Sequence, residues 1–164
     1  MITRTIAPHV DGRRRETAID RIDDPFVPVG RLAVPIEVVE ASTLYPVVAA
    51  LFRSENVSSV AVCDAAEPGR IGIVSRDRHT AVSAGTLGYG RALLARRPVG
   101  EVVDRDPLAV PQTMPVVEVV RLAMARSEAR RFDDVVVHGA VWQVVTVPTL
   151  VRALADVVTR HWRA

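Results

Sequence analysis

Apolar positions along the chain fall into short blocks, and the same order of blocks occurs twice, about seventy residues apart. From Pro35 the first copy opens on Ile36-Glu37-Val38-Val39, a predicted short strand. Ser42 or Thr43 then offers a side-chain oxygen to cap a helix, with Pro46 in its first turn, where a missing N–H costs little. Val47, Val48, Leu51 and Phe52 give that helix one apolar stripe. Val60-Ala61-Val62-Cys63 reads as a buried strand, residues 64–69 as a turn, and Ile71-Gly72-Ile73-Val74 as a returning strand. A weaker helix over Arg76 to Ala84 closes the unit at Gly85.

The second copy follows the same logic. Leu108-Ala109-Val110 is a predicted strand, and Thr113 is the expected cap of a helix with Pro115 in its first turn. Val116, Val119, Val120, Ala123 and Met124 form the matching apolar face. Val135-Val136-Val137, a turn at His138-Gly139, and Val141 to Val145 make the strand pair. Thr146 and Pro148 start a last helix whose Leu150, Val151, Leu154, Val157, Val158 and Trp162 share a stripe.

Each copy thus reads β-α-β-β-α, and one alone buries little surface. The expected fold is α/β: two such repeats sharing a core as a pseudo-twofold pair, each sheet packing its helices toward the other. Unbroken valine runs imply strands covered on both faces. The organisation expected is an N-terminal arm over 1–28, a first repeat with a connecting helix over 29–98, and a second repeat with a C-terminal helix over 99–164. The arm carries Asp11, Arg13, Arg14, Arg15, Glu16, Asp20, Arg21, Asp23 and Asp24 among few apolar residues, a block that favours solvation and partial disorder. Between the copies, three glycines around Tyr89 allow an irregular path, and Arg91 to Arg97 is long enough for about two helical turns before Pro98.

Composition narrows the class. In 164 residues, 49% are hydrophobic and 24% charged, which excludes a wholly disordered chain and leaves one compact domain or two very small ones. Aromatics are 4%, so the core falls to roughly thirty valines. No apolar run nears the ~20 residues that span a bilayer, and a reducing cytoplasm is the expected home for a chain with Cys63 alone. All 21 basic residues are arginine, yet the net charge is only +2, which argues against a protein that coats polyanions. Arg13 to Arg15 and Arg96-Arg97 are the one basic candidate for nucleic acid, but no stacked-aromatic platform accompanies them.

The tandem unit, with Gly72-Ile73-Val74-Ser75-Arg76 ending one copy and Val144-Val145-Thr146-Val147 ending the other, resembles a pair of cystathionine-β-synthase-type (CBS) domains, a Bateman module. The likeness spans about Val29 to Arg160. Residues 85–99 with Arg131-Phe132-Asp133-Asp134-Val135 look like the CBS regions that precede bacterial GGDEF diguanylate cyclases, although no catalytic domain is expected in a sequence ending at Ala164. The resemblance implies a bacterial-signalling type of regulatory module and no enzyme. It implies clefts between the paired sheets for adenosine-containing ligands such as AMP, ADP, ATP or S-adenosylmethionine, and action as a homodimer or on an effector enzyme such as a cyclase in trans.

The family pattern is glycine, two hydrophobic residues, Ser or Thr, two variable residues, then Asp. The hydroxyl caps a helix and faces phosphates, and the carboxylate binds ribose hydroxyls. Ser75 matches, but Arg78 holds the acidic place, with Asp77 one residue early. In the second copy Gln143 replaces the glycine, Thr146 keeps the hydroxyl and Thr149 replaces the acid. The implied nucleotide-binding set is therefore Ser75, Arg76, Asp77, Arg78, Thr146 and Thr149, with the arginines favouring a phosphate-rich ligand. The alternative is that Ser75 and Thr146 are helix caps alone and the module is a ligand-free scaffold for assembly.

Other chemistry finds little support. His9, His79, His138 and His161 keep no metal-ligand spacing and are expected on surfaces or turns. Gly88-Tyr89-Gly90 lacks the lysine and the strand–helix setting of a phosphate loop. Cys63 reads as a small hydrophobe rather than the partner of His79 in a nucleophilic pair. Asp23-Asp24 and Asp133-Asp134 read as solvated or strand-edge charges, and Trp142 and Trp162 as packing anchors.

Overall fold

The computed structural model describes residues 22–85 and 89–164, so Met1 to Arg21 of the expected arm, and Gly88 of the glycine run, lie outside the described residues. Among the described residues seven strands and five α-helices follow in chain order: β1 (Val34–Pro35), β2 (Val38–Glu40), α1 (Tyr45–Leu51), β3 (Ser59–Asp64), β4 (Glu67–Ser75), α2 (Arg76–Ala84), α3 (Gly90–Leu94), β5 (Ala109–Pro111), α4 (Val116–Met124), β6 (Val135–His138), β7 (Trp142–Val145) and α5 (Val147–Arg163). They form a three-stranded sheet of order β2-β3-β4 and a four-stranded sheet of order β1-β7-β6-β5. In each sheet the strand after the first helix pairs parallel to the strand before it and antiparallel to the strand that follows. The β-α-β-β-α unit read from the sequence is therefore present twice.

The valine runs are buried on both faces for a reason the repeat pattern did not reveal. Val60 and Val62 of β3 and Val74 of β4 pack under α1, whereas Ala61, Ile71 and Ile73 point the other way. In the second sheet Val135, Val137 and Val145 pack under α4 and α5, whereas Val136 and Val144 face Ala61 and Ile73. The two sheets thus meet each other directly, and their helices cover the outer faces. The expectation that each sheet packs its helices toward the other is corrected. Alternate residues of one strand feed two different cores, so both parities must be apolar.

The two halves are related by a pseudo-twofold axis, and they exchange segments across it. Val29 N–H and Gly30 N–H donate to the carbonyls of Met114 and Gln112, while Val99 N–H and Gly100 N–H donate to those of Thr43 and Ala41. Pro28-Val29-Gly30 and Pro98-Val99-Gly100 are the same tripeptide roughly seventy residues on, and each precedes its own repeat but packs into the other. The strand β1 likewise pairs with β7, with Val34 opposite Val144, and Asp104 bridges Ile73 of β4 at the equivalent place. Ile22, fully buried, and Val29 belong to the core of the second half. Arg160 of α5 donates to the Ile22 carbonyl and pairs with Asp23 at 2.8 Å, so this end of the charged segment is held against the domain.

The exchange also explains two missed caps. Neither Ser42 nor Thr43 caps α1, whose cap residue is Leu44, and Thr113 does not cap α4, whose cap residue is Pro115; neither helix has a side-chain cap bond. Instead Tyr45 N–H donates to Arg97 O, and Val116 N–H and Val117 N–H donate to Val27 O and Pro25 O. Backbone from the exchanged segment fills the role that a side-chain oxygen plays elsewhere. The predicted two-turn helix after Tyr89 is shorter, Gly90–Leu94. Gly85, at φ +54°, approaches Gly90 so closely that a Cβ on either would strike backbone, which fixes glycine at both. Ile36 lies outside β2 but is buried between the sheets. Among the described residues no helix is long and apolar enough to cross a membrane.

Candidate functional site

The site is built where β4 ends and α2 begins. Ser75 is the N-cap of α2, and its hydroxyl oxygen accepts from Arg78 N–H at 3.1 Å, leaving its own proton to donate outward. Thr146 caps α5 in the same way, accepting from Thr149 N–H at 3.2 Å. These are the two caps that the sequence placed correctly.

Ser75, Asp77 and Arg78 line a cleft of about 640 Å³ between the halves. Its far wall comes from Asp104 and Arg105 of the exchanged segment and from Arg130 and Asp133 of the second repeat. Ile73, Val103 and two alanines supply apolar surface. Arg130 holds the wall together: its guanidinium pairs with Asp104 and Asp133 and donates to Asp106 O at 2.9 Å. Arg78 Nε–H donates to Val102 O, and Arg105 to Gly100 O at 2.8 Å. A smaller recess of about 190 Å³ adjoins it through Ser75, Asp77 and Asp133 and is bordered by Phe132, which is 69% exposed.

At the recess Ser59 donates to Asp134 Oδ2 at 2.7 Å. The two residues are equivalents: each directly precedes the first valine of its middle strand, Val60 in β3 and Val135 in β6. Their contact therefore lies at the pseudo-twofold axis. Burial raises the Asp134 pKa above the ordinary carboxylate value, only partly opposed by hydrogen bonds from Ser59 and Ser58. Asp134 is thus no solvated strand-edge charge.

The remaining predicted residues divide. Arg76 borders the small recess, but its guanidinium donates to the carbonyls of Phe52, Ser54 and Val57 at 3.0, 2.6 and 2.6 Å and lies 5.5 Å from the Phe52 ring centroid. It closes the C-terminal end of α1. Thr146 and Thr149 line neither cleft; their hydroxyls meet at 2.9 Å. Phe132, Asp104, Arg105 and Arg130 were not read as site residues. The repeated Pro-Val-Gly would have pointed to 99–105, since it marks the segment that crosses to the other half.

His79 is not a simple surface histidine: it sits on α2 with Nδ1 2.6 Å from the Tyr45 hydroxyl and its ring stacked on Phe52 at 4.7 Å. Cys63 contacts Val39 O instead, so the two do not form a pair. Trp142 packs between the sheets, whereas Trp162 is 86% exposed at the end of α5 and anchors nothing within the described residues.

Residues 99–156 match the family model of the CBS domain. The fold is that of CBS pairs. CBSX2 in complex with AMP superposes at a TM-score of 0.58 with 22% identity, over 80% of this chain and 98% of that one. The CBS-pair protein CBSX2 from Arabidopsis thaliana gives 0.61 at 21% identity over 80% and 96%. A CBS domain-containing protein of unknown function from Kribbella flavida gives 0.60 at 15% identity over 79% and 98%. No curated protein matches the sequence. Residues 99–156 are thus similar to the CBS domain, and the chain has the fold of a CBS pair.

Proposed function

We propose that this protein is a non-enzymatic regulatory module that senses an adenosine-containing nucleotide in the cleft between its repeats. The observation that carries this reading is the cleft of about 640 Å³ in which the Ser75 cap, Asp77 and Arg78 face Asp104 and Arg130 from the other half. Its size suits a small-molecule ligand. Ser75 and the first turn of α2 favour phosphate, with Arg78 as a forked donor. Asp77 or Asp104 would grip ribose hydroxyls in place of the acid missing at Arg78. Phe132, exposed at the adjoining recess, offers a ring face to the base. That CBSX2 holds AMP supports the ligand class.

A ligand that touches both walls biases the angle between the halves, and a partner such as an effector enzyme in trans would read that shift. Titration calorimetry with AMP, ADP, ATP and S-adenosylmethionine tests the reading. Binding of at least one is expected, weakened by Arg78→Ala; no heat from any at millimolar concentration would remove the sensing claim. A second reading, a ligand-free scaffold that assembles as a homodimer in the cytoplasm, is favoured by one observation. Val151, Val158 and Trp162 are exposed along one side of α5.

A further inference from the structure

On the opposite side of α2 from the inter-repeat cleft lies a second cavity of about 440 Å³, between α1, α2 and the start of α3. Its floor is the stacked pair Phe52 and His79 with Tyr45 beside them. Its rim carries Ser83, Arg53 and Arg91. No carboxylate is among the lining residues, in contrast to the inter-repeat cleft, where three acids face three arginines. Among the described residues neither Arg53 nor Arg91 has a carboxylate partner. Two unneutralised guanidiniums sharing one cavity leave a positive field that an anion relieves.

The histidine is set up as a neutral donor. Nδ1 lies 2.6 Å from the Tyr45 hydroxyl and 3.3 Å from Ser83 Oγ; with the phenol donating to it, the ring proton is on Nε2. Burial lowers the His79 pKa first, with Arg76 and Arg91 adding to it, which keeps the ring uncharged at neutral pH. Nε2–H has no partner among the described residues. The cavity therefore combines apolar lining from Pro46 and Ala49 with the donors of Arg53, Arg91 and His79.

We infer that this cavity binds a small organic anion, a carboxylate or phosphate carried on a planar apolar body, with the oxyanion held by Arg53, Arg91 and His79 Nε2–H and the body seated against Pro46 and Ala49. The site is separate from the nucleotide cleft and does not rest on that reading. Three probes test it on the full chain: phenyl phosphate, benzoate and inorganic phosphate, followed by calorimetry and by the His79 ring resonances in NMR. Phenyl phosphate and benzoate should bind and shift those resonances; binding by one alone also supports the site and identifies its oxyanion. Arg53→Ala/Arg91→Ala, two exposed positions whose loss should leave the thermal midpoint unchanged, should weaken binding about tenfold or more, with partial recovery in the Arg→Lys pair. No binding of any probe at millimolar concentration, or unchanged affinity in the folded double alanine variant, would overturn the proposal. Inorganic phosphate binding as tightly as phenyl phosphate would overturn its apolar half.

Discussion

Asp134 and His79 are both half-buried ionisable groups, and burial acts on them with opposite sign. The Asp134 carboxyl has a raised pKa in the fold because desolvation outweighs its hydrogen bonds from Ser59 and Ser58. The native state then holds the proton more tightly than the unfolded chain, so this contribution is full below the unfolded value near 3.8 and is lost as pH rises through the folded value. Asp134→Asn keeps an oxygen for Ser59 without the buried charge. It should raise the urea midpoint at pH 7 relative to the parent, with the advantage vanishing in acid; a lower midpoint at pH 7 would show that the ionised hydrogen bond wins. His79 has a lowered pKa, so its contribution is full above 6.5 and is lost as pH falls through that value toward the folded one. Neither environment was legible in sequence. Ser59 and Asp134, or Tyr45 and His79, are brought together by strand pairing and helix packing over long separations, which no local spacing encodes. The Ser75 and Thr146 caps were legible because a cap acts on the backbone three residues on.

Elements were placed well wherever one side of the period was apolar, as in α4 and α5, and placed loosely where backbone from elsewhere completes them. The start of α1 depends on Arg97 O and that of α4 on Val27 O, and both acceptors lie far from the helix in sequence. Glycines at the crossings make the exchange possible. A Cβ at Gly72 would sit 2.6 Å from Val103 Cγ2 and 2.8 Å from Asp104 O, so Gly72→Ala must push the 103–104 segment off β4. A Cβ at Gly100 would meet Ala41 O at 3.0 Å, a smaller displacement. The expected order of destabilisation is Gly72→Ala, at about 2–3 kcal/mol, above Gly100→Ala, at about 1 kcal/mol, measured by urea unfolding. Equal costs would mean that the 103–104 segment yields freely. Gly72→Ala should also reduce nucleotide binding, because Asp104 and Arg105 move with that segment.

At the scale of the molecule, α5 carries an apolar surface that no described residue covers. Val151, Val158 and Trp162 lie along one side of α5 that flanks its buried stripe of Val147, Leu150 and Ala153. A second copy is the proposed cover, and light scattering after size exclusion should give a dimer that Val158→Arg/Trp162→Arg converts to a monomer with an unchanged unfolding midpoint of the isolated chain. A monomeric parent protein would count against assembly through this face. The repeat, the class of each element, the α/β architecture and the two helix caps followed from the sequence itself, because periodicity and capping are short-range and leave a local imprint. Which faces of the sheets meet, which half each Pro-Val-Gly segment serves, and which acids and arginines share a cleft were decided only in three dimensions. Valine buried against a helix and valine buried against another sheet are the same letter, and the pseudo-twofold axis that distinguishes them belongs to the assembled pair, not to either repeat alone.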